Sequence, residues 1–464
     1  MMKIDFFKIL LVSSLLLSLQ ACFVADKYVR PEGIVDPEYF RTDRLSQDSI
    51  SMAEVSWREL FTDPLLERHI EQALRQNIDI RIALQQIDAA EAYLSRAKAG
   101  YYPTVFAGLS AVHQENPSGS RTLPGSFDQF ELSADLSWEA DIWGKIKSNE
   151  RAQNAAFLQS VAAHKAVKTE LVAGVATLYY QLLALDEQME TTLETVANRT
   201  SSLETIEALK EAGIVSEVGV KQSEAQLLRA RAVVVDLENE IRLTENALSI
   251  LMGDPPHPIE RTDLDQQQIT TPLSLGVPLL LLRNRPDIIA AEYNLIEAFQ
   301  LRNVAKSNFY PSLRLSATAG FQSLDLADLL NTNALFASMA GSLTQPIFNR
   351  REIKTQYEVA KAQQEIAFLN FKRAILEASQ EVSDALANYA AVEKKLQIKA
   401  AELEAYRLAT EYSEELLSNG MANYLEVLTA RESVLNTQLE LINLRFSELS
   451  TLVDLYQALG GGWK

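Results

Sequence analysis

The chain reads as mainly α-helical with a small β part, built from two copies of one plan, and three observations predict it. One segment order recurs: AKAGYYPTVFAGLSA from Ala97 and AKSNFYPSLRLSATA from Ala305 lie 208 residues apart, while Gly213 with Gly420 and Gly253 with Gly460 keep a spacing of 207. Proline is absent between Pro124 and Pro255 and again after Pro346, in stretches dense in Ala, Leu, Glu, Gln and Lys, the strong helix formers. Phe130 to Ile142 alternates without a miss between apolar and polar residues, the period-two pattern of a strand with two unlike faces.

At the N-terminus, Lys3 and Lys8 precede an apolar run from Ile9 to Leu19, and Ala21 precedes the only cysteine, Cys22. That run is too short to span a bilayer as a helix and reads as an export signal over residues 1–21. Leu19-Gln20-Ala21-Cys22 resembles a bacterial lipoprotein cleavage box, which implies that Cys22 becomes the lipidated first residue of the mature chain; an ordinary signal peptide with an incidental cysteine is the alternative. Phe23 after the cysteine, by the same analogy, implies sorting to the outer membrane. No other thiol remains, which excludes intrachain disulfides and thiol catalysis. The 43 Lys and Arg against 62 Asp and Glu give a formal charge of −19, so the surface repels phosphate backbones and nucleic acid is not an expected partner.

Each copy then runs through one element order. A helix, roughly 65–99 and 286–308, stops at Tyr/Phe-Tyr-Pro, where proline ends it and starts an extended segment. Two strands follow in each copy: Thr104 to about Gln114 and Phe130 to Ile142, then Ser312 to Gln322 and about Leu335 to Ile347. NPSGSRTLPGS is a turn-rich loop between the first pair. Long helices over 146–211 and 350–418 come next, each followed by a glycine turn and a second helix. Some 65 helical residues at about 1.5 Å each approach 100 Å, a length no globular core requires.

A strand face that is wholly apolar meets either a packed core or lipid. A β-layer packed on the helices is the plainer reading. The strands match the roughly 9–11 residues of a tilted membrane strand, and the acidic face of Phe130 to Ile142 suits a wet lumen. Four strands are too few to close a barrel, and open edges cannot stand in hydrocarbon. Three protomers would supply twelve. On this reading Glu131, Asp135 and Glu139, with Arg314 on the third strand, line the lumen.

LLRNRPDIIAAEYNLIEA, Leu281 to Ala298, resembles the Arg-Pro-Asp helix start of the outer-membrane efflux channels of the TolC and OprM kind, and YLEVLTARESVLNTQLELI, Tyr424 to Ile442, resembles their last helix. The resemblance covers essentially the whole mature chain. It implies a homotrimer with a twelve-stranded transmembrane β-barrel and a periplasmic α-barrel of long hairpins. Substrate would arrive from an inner-membrane pump of the resistance-nodulation-division type through a periplasmic adaptor. The implied division is an anchor and equatorial segment at 22–64, a first repeat at 65–253, an equatorial linker at 254–283, a second repeat at 284–460 and a tail at 461–464. Pro286 suits a first helical turn and Asp287 complements the helix dipole, so Arg285 and Asp287 read as structural.

In that family the hairpin ends form the periplasmic aperture and meet the adaptor, which places Gly213, Glu211, Glu217, Gly420, Met421, Asn423, Glu414 and Glu415 at the tip. Threefold rings of these glutamates would favour cations; solvated helix ends are the bland alternative for each. Many relatives carry Asp where this chain has Ala422, so closure is expected to rest on apolar packing and neighbouring glutamates. Catalysis finds no support: His69, His113, His164 and His257 are scattered without metal-ligand spacing, and no helix follows GGGWK to make a phosphate site. No cofactor is expected beyond the lipid on Cys22. A protein-secretion outlet of the same fold and a periplasmic adaptor lipoprotein are the competing functions, the latter normally having one hairpin rather than two in tandem.

Overall fold

The computed structural model describes residues 25–31, 55–115, 126–267 and 284–464. The export signal, Cys22, most of the loop after Glu115 and most of the linker before Asn284 lie outside the described residues. In chain order the elements are α1 (Trp57–Leu60), α2 (Pro64–Gln76), α3 (Ile78–Ala99), β1 (Thr104–Glu115), β2 (Ser126–Ala140), α4 (Lys145–Glu211), α5 (Glu217–Leu251), α6 (Pro286–Ser307), β3 (Ser312–Ser323), β4 (Leu335–Thr344), α7 (Glu352–Ser418) and α8 (Tyr424–Ala458). The duplication is metrically strict: α4 and α7 both have 67 residues, and α5 and α8 both have 35.

β2 begins four residues earlier than the sequence reading, at Ser126, and three other boundaries differ, each for a local reason. The helix expected over 65–99 is two helices, because Asn77 leaves helical geometry and its Oδ1 accepts from the N–H groups of Asp79 and Ile80 at 2.8 and 3.1 Å, starting α3 as a cap. β2 ends at Ala140 rather than Ile142, since Asp141 turns away to accept from the N–H groups of Ile146 and Lys147, both at 2.9 Å, over the first turn of α4. β4 ends at Thr344, two residues before Pro346. Proline cannot donate to a ladder.

The chain divides into two compact units, and each draws on both copies. One holds the described parts of Met1–Pro31, Gln86–Ser160 and Ala290–Phe371. It contains a single antiparallel sheet of order β1-β2-β3-β4. The other holds the described parts of Glu32–Gln85, Val161–Ile289 and Lys372–Lys464. Its core is built on Trp57, Phe61, Tyr179, Tyr180 and Tyr456, all buried. Phe61 packs against Tyr180 and Tyr456 with ring centroids 6.4 and 6.3 Å apart. No described helix is long and apolar enough to cross a membrane.

Candidate functional site

The ladder between β2 and β3 shows what the alternation of Phe130 to Ile142 is for. Leu132 lies opposite Phe321, Leu136 opposite Ala317 and Trp138 opposite Leu315, so one face is apolar across the central pair. Val105 and Leu109 extend it on β1, Met339 and Leu343 on β4. This face is largely bare: Leu109 is 72% and Met339 84% exposed. On the other face each acid meets a partner from the second copy. Thr318 Oγ1 donates to Asp135 at 2.6 Å, Gln322 to Glu131 at 3.4 Å, and Arg314 lies 3.7 Å from Glu139, which also pairs with Lys145 at 3.1 Å. The four residues expected to line a lumen therefore share one face. Phe106 and Phe336 also fall on it, opposite Asp135 and Gly320, a placement the β2 pattern alone could not show.

An aromatic collar marks where helices give way to strands. Trp143 stacks on Tyr310 at 5.0 Å and donates Nε1–H to the Pro311 carbonyl at 2.7 Å. Tyr101 donates its hydroxyl to Glu150 at 3.0 Å, and its carbonyl accepts from Trp138 Nε1 at 2.9 Å.

At the far ends of the hairpins the two copies share one cap. Gly213 N–H bonds the Lys210 carbonyl and Ile214 N–H the Leu209 carbonyl; Gly420 N–H bonds that of Leu417 and Met421 N–H that of Leu416. This paired pattern needs a left-handed residue at the glycine, and φ is 76° and 69° there. Asn423 caps α8 by accepting from Leu425 N–H at 3.1 Å. Ile206, Val220, Tyr424, Val427 and Leu428 form a small apolar cluster, beside a cavity of about 930 Å³ reached by Ile214, Ala422 and Arg431.

The tip glutamates meet different fates. Glu217 pairs with Lys210, which holds its carboxyl below the usual range. Glu414 pairs with Arg431 at 2.7 Å, and Arg431 Nη1 also donates to Ser202 at 2.5 Å, joining the two hairpins. Glu211 is the exposed last residue of α4, and Glu415 contributes its carbonyl to Asn419 N–H at 3.2 Å. Met421 is exposed, as is its repeat partner Ile214. Spacing offered no means of choosing Arg431 and Ser202, which stand 229 residues apart in sequence.

Buried polar ties hold the opposite ends of these hairpins. Arg285 bonds Asp287 through Nε and Nη2 at 3.1 and 2.6 Å, and through Nη1 reaches Glu381 at 2.5 Å and the Ala458 carbonyl at 3.0 Å. Burial opposes its charge, yet the two carboxylates raise its pKa. Asp63 caps α2 and accepts from Tyr179 at 2.7 Å, Gln267 at 2.8 Å and Thr262. Burial acts to raise its pKa, but these bonds prevail and hold it low. Among the described residues no group of His, Cys, Asp and Glu is placed to hold a metal ion.

The profile of the outer membrane efflux protein family matches residues 69–254 and 277–461, one match per copy. The chain belongs to the outer membrane efflux protein family. It is similar to the solvent efflux pump outer membrane protein SrpC of Pseudomonas putida, 29% identical over 420 residues, covering 90% of this chain and 89% of that one. It is also similar to the probable outer membrane lipoprotein SilC of Salmonella typhimurium, 27% identical over 462 residues, covering 98% and 99%. Among solved structures, the open state of the MtrE outer membrane channel of Neisseria gonorrhoeae superposes with a TM-score of 0.85 at 26% identity, covering 96% of this chain and 99% of that one. This efflux protein is thus an outer-membrane channel component, and its relatives are channels rather than enzymes.

Proposed function

We propose that this efflux channel works as a homotrimer, the passive exit duct of a tripartite pump that carries small molecules from periplasm to exterior. The observation that carries this reading is the sheet. Among the described residues its outer strands β1 and β4 each have an unpaired edge, and one face is apolar and largely exposed. Such edges are not tolerated in hydrocarbon, and three copies pairing β4 to β1 give twelve strands and no edge. The face bearing Glu131, Asp135, Glu139 and Arg314 then turns to water, because an ion pair facing lipid is costly.

The same reading assigns the hairpin ends to a periplasmic adaptor that links the channel to an inner-membrane pump of the resistance-nodulation-division type. Ile214 with Met421 and Val218 with Leu425 are repeat-related, exposed apolar pairs, the kind of knob a helical partner covers. A lipid on Cys22 would add a second hold on the outer membrane. The name of SrpC, a solvent efflux pump protein, favours small solutes over proteins as cargo.

Extraction in detergent followed by mass determination tests the assembly: a trimer from the outer-membrane fraction is expected, and a soluble monomer refutes it. Gly420→Asp tests the tip. It should abolish efflux in an accumulation assay while leaving the trimer intact; loss of the trimer instead would sink the assignment of Gly420 to adaptor recognition.

A further inference from the structure

The internal duplication fixes how one protomer meets the next. We infer that β4 of one copy pairs with β1 of its neighbour in the register of β2 with β3, so that Ser342 faces Ser110 of the partner subunit. The inference rests on the trimeric reading above and adds to it the alignment of the seam and the contact that closes it.

The ladders within one chain set this register. β1 and β3 are repeat-related at a spacing of 208, and the ladders β1·β2 and β3·β4 then place β2 and β4 at 207: Ala111 faces Phe130, while Ala319 faces Ala337. The helices that follow keep 207 without a gap, Lys145 to Glu352 and Glu217 to Tyr424. A β2·β3 pair therefore has an image across the seam. Asp135 opposite Thr318 becomes Ser342 opposite the partner's Ser110, and Leu136 opposite Ala317 becomes Leu343 opposite the partner's Leu109.

This register keeps both faces of the sheet continuous across the seam. A strand shifted by one residue puts its side chains on the wrong face. Leu343 and Leu109 both belong to the apolar face of the existing sheet, so the seam continues that face from copy to copy. Ser342 and Ser110 continue the polar one.

The image of the aromatic collar gives the seam a specific contact. Trp143 corresponds to Arg350, Tyr310 to Tyr102 and Pro311 to Pro103. Within the chain Trp143 stacks on Tyr310 and donates to the Pro311 carbonyl. Arginine can do both, since a guanidinium stacks on an aromatic face and still donates at its edge. Tyr102 is 74% exposed, so its ring is free to be covered. Arg350 and Arg351 hold φ of 53° and 67°, a left-handed conformation unfavourable for any residue with a Cβ and retained where function requires it. Arg350 stacks on the partner's Tyr102 in the assembled ring.

Cysteine pairs in the full chain test the register. Ser342→Cys with Ser110→Cys should give covalent dimers and trimers on mild oxidation, whereas each single variant should not. Within one chain these positions lie on opposite edges of the sheet, three strand spacings or about 14 Å apart laterally and displaced further along the strands, since Ser110 is level with Gln322 and Ser342 with Arg314, beyond disulfide reach. Stronger cross-linking of Ser342→Cys with Gly108→Cys or Val112→Cys would overturn the register. A trimer by mass that does not link 342 to 110 refutes the register alone; a monomer by mass refutes the functional reading beneath it.

The contact is tested by heating the trimer in detergent. Arg350→Trp, which installs the residue of the first copy, should keep the dissociation temperature. Arg350→Glu and Tyr102→Ala should each lower it, and the double variant should lower it no further than the stronger single one. Additive losses would overturn the contact.

Discussion

Four glycines of this channel adopt one cap, yet their surroundings differ completely. Gly213, Gly253, Gly420 and Gly460 all sit at positive φ, from 69° to 91°. At Gly253 an added Cβ would stand 2.7 Å from the Gln76 carbonyl oxygen, and at Gly460 it would stand 2.8 Å from Asn284 backbone. At Gly213 and Gly420 it would meet nothing within 4 Å. The first pair is locked by its neighbours as well as by its backbone, while the second is held by its backbone alone. The polar ties follow suit: Arg285 and Asp63 are buried, whereas the Arg431 to Glu414 pair at the tip is exposed. One end of each hairpin is fixed by its neighbours and the other is not, which suits the adaptor-binding aperture proposed above.

The sharpest way to break this contrast is Gly253→Ala. Left-handed strain and a clash with backbone should together cost about 3 kcal/mol of stability, read as a lower unfolding midpoint of the detergent-solubilised protein. Gly420→Ala carries the strain without the clash and should cost about 1 kcal/mol. Equal losses at the two positions would erase the distinction. Arg431→Ala should cost less than about 1 kcal/mol, as exposed pairs do, while raising passive leakage of a small dye through the channel. Unchanged leakage would show that the tie to Ser202 does not hold the aperture.

The smallest effect concerns pH. His69 is buried and its Nε2–H donates to the Glu260 carbonyl at 2.8 Å. Burial lowers its pKa, only partly offset by that bond, and nearby Arg68 adds to the lowering. The unfolded chain, with an ordinary value near 6.5, then takes up its proton before the folded one. Stability is therefore intact above about pH 6.5 and declines as pH falls toward the depressed folded value. His69→Gln should flatten that part of the profile, measured as unfolding midpoint against pH. An unaltered slope would assign it to other groups.

The legible part of the candidate site was the part written locally. Alternation from Phe130 onward gave a strand with an acidic face, and Glu131, Asp135 and Glu139 do share a face. Gly213 and Gly420 were legible because a left-handed cap all but requires glycine. Their consequences were not. That Asp135 receives Thr318 and Glu139 meets Arg314 depends on residues more than 170 positions away, and no periodicity reports partners at that range. Nothing in the local pattern separates Asn77 from a helical residue, and its role as the cap of the next helix lies in its side-chain contacts.

By itself the sequence determined the duplication, the strand faces, the long helices and the glycine turns, because each is a repeat, a period or a conformational requirement of a single residue. Only the tertiary structure decided which glycines are jammed, which acids are paired, and that Arg285 joins three elements. Those are facts about neighbours. A chain that repeats itself after about 207 residues offers each side chain a second, repeat-related set of partners, and only packing, with its demand that buried charges be matched, selects between them.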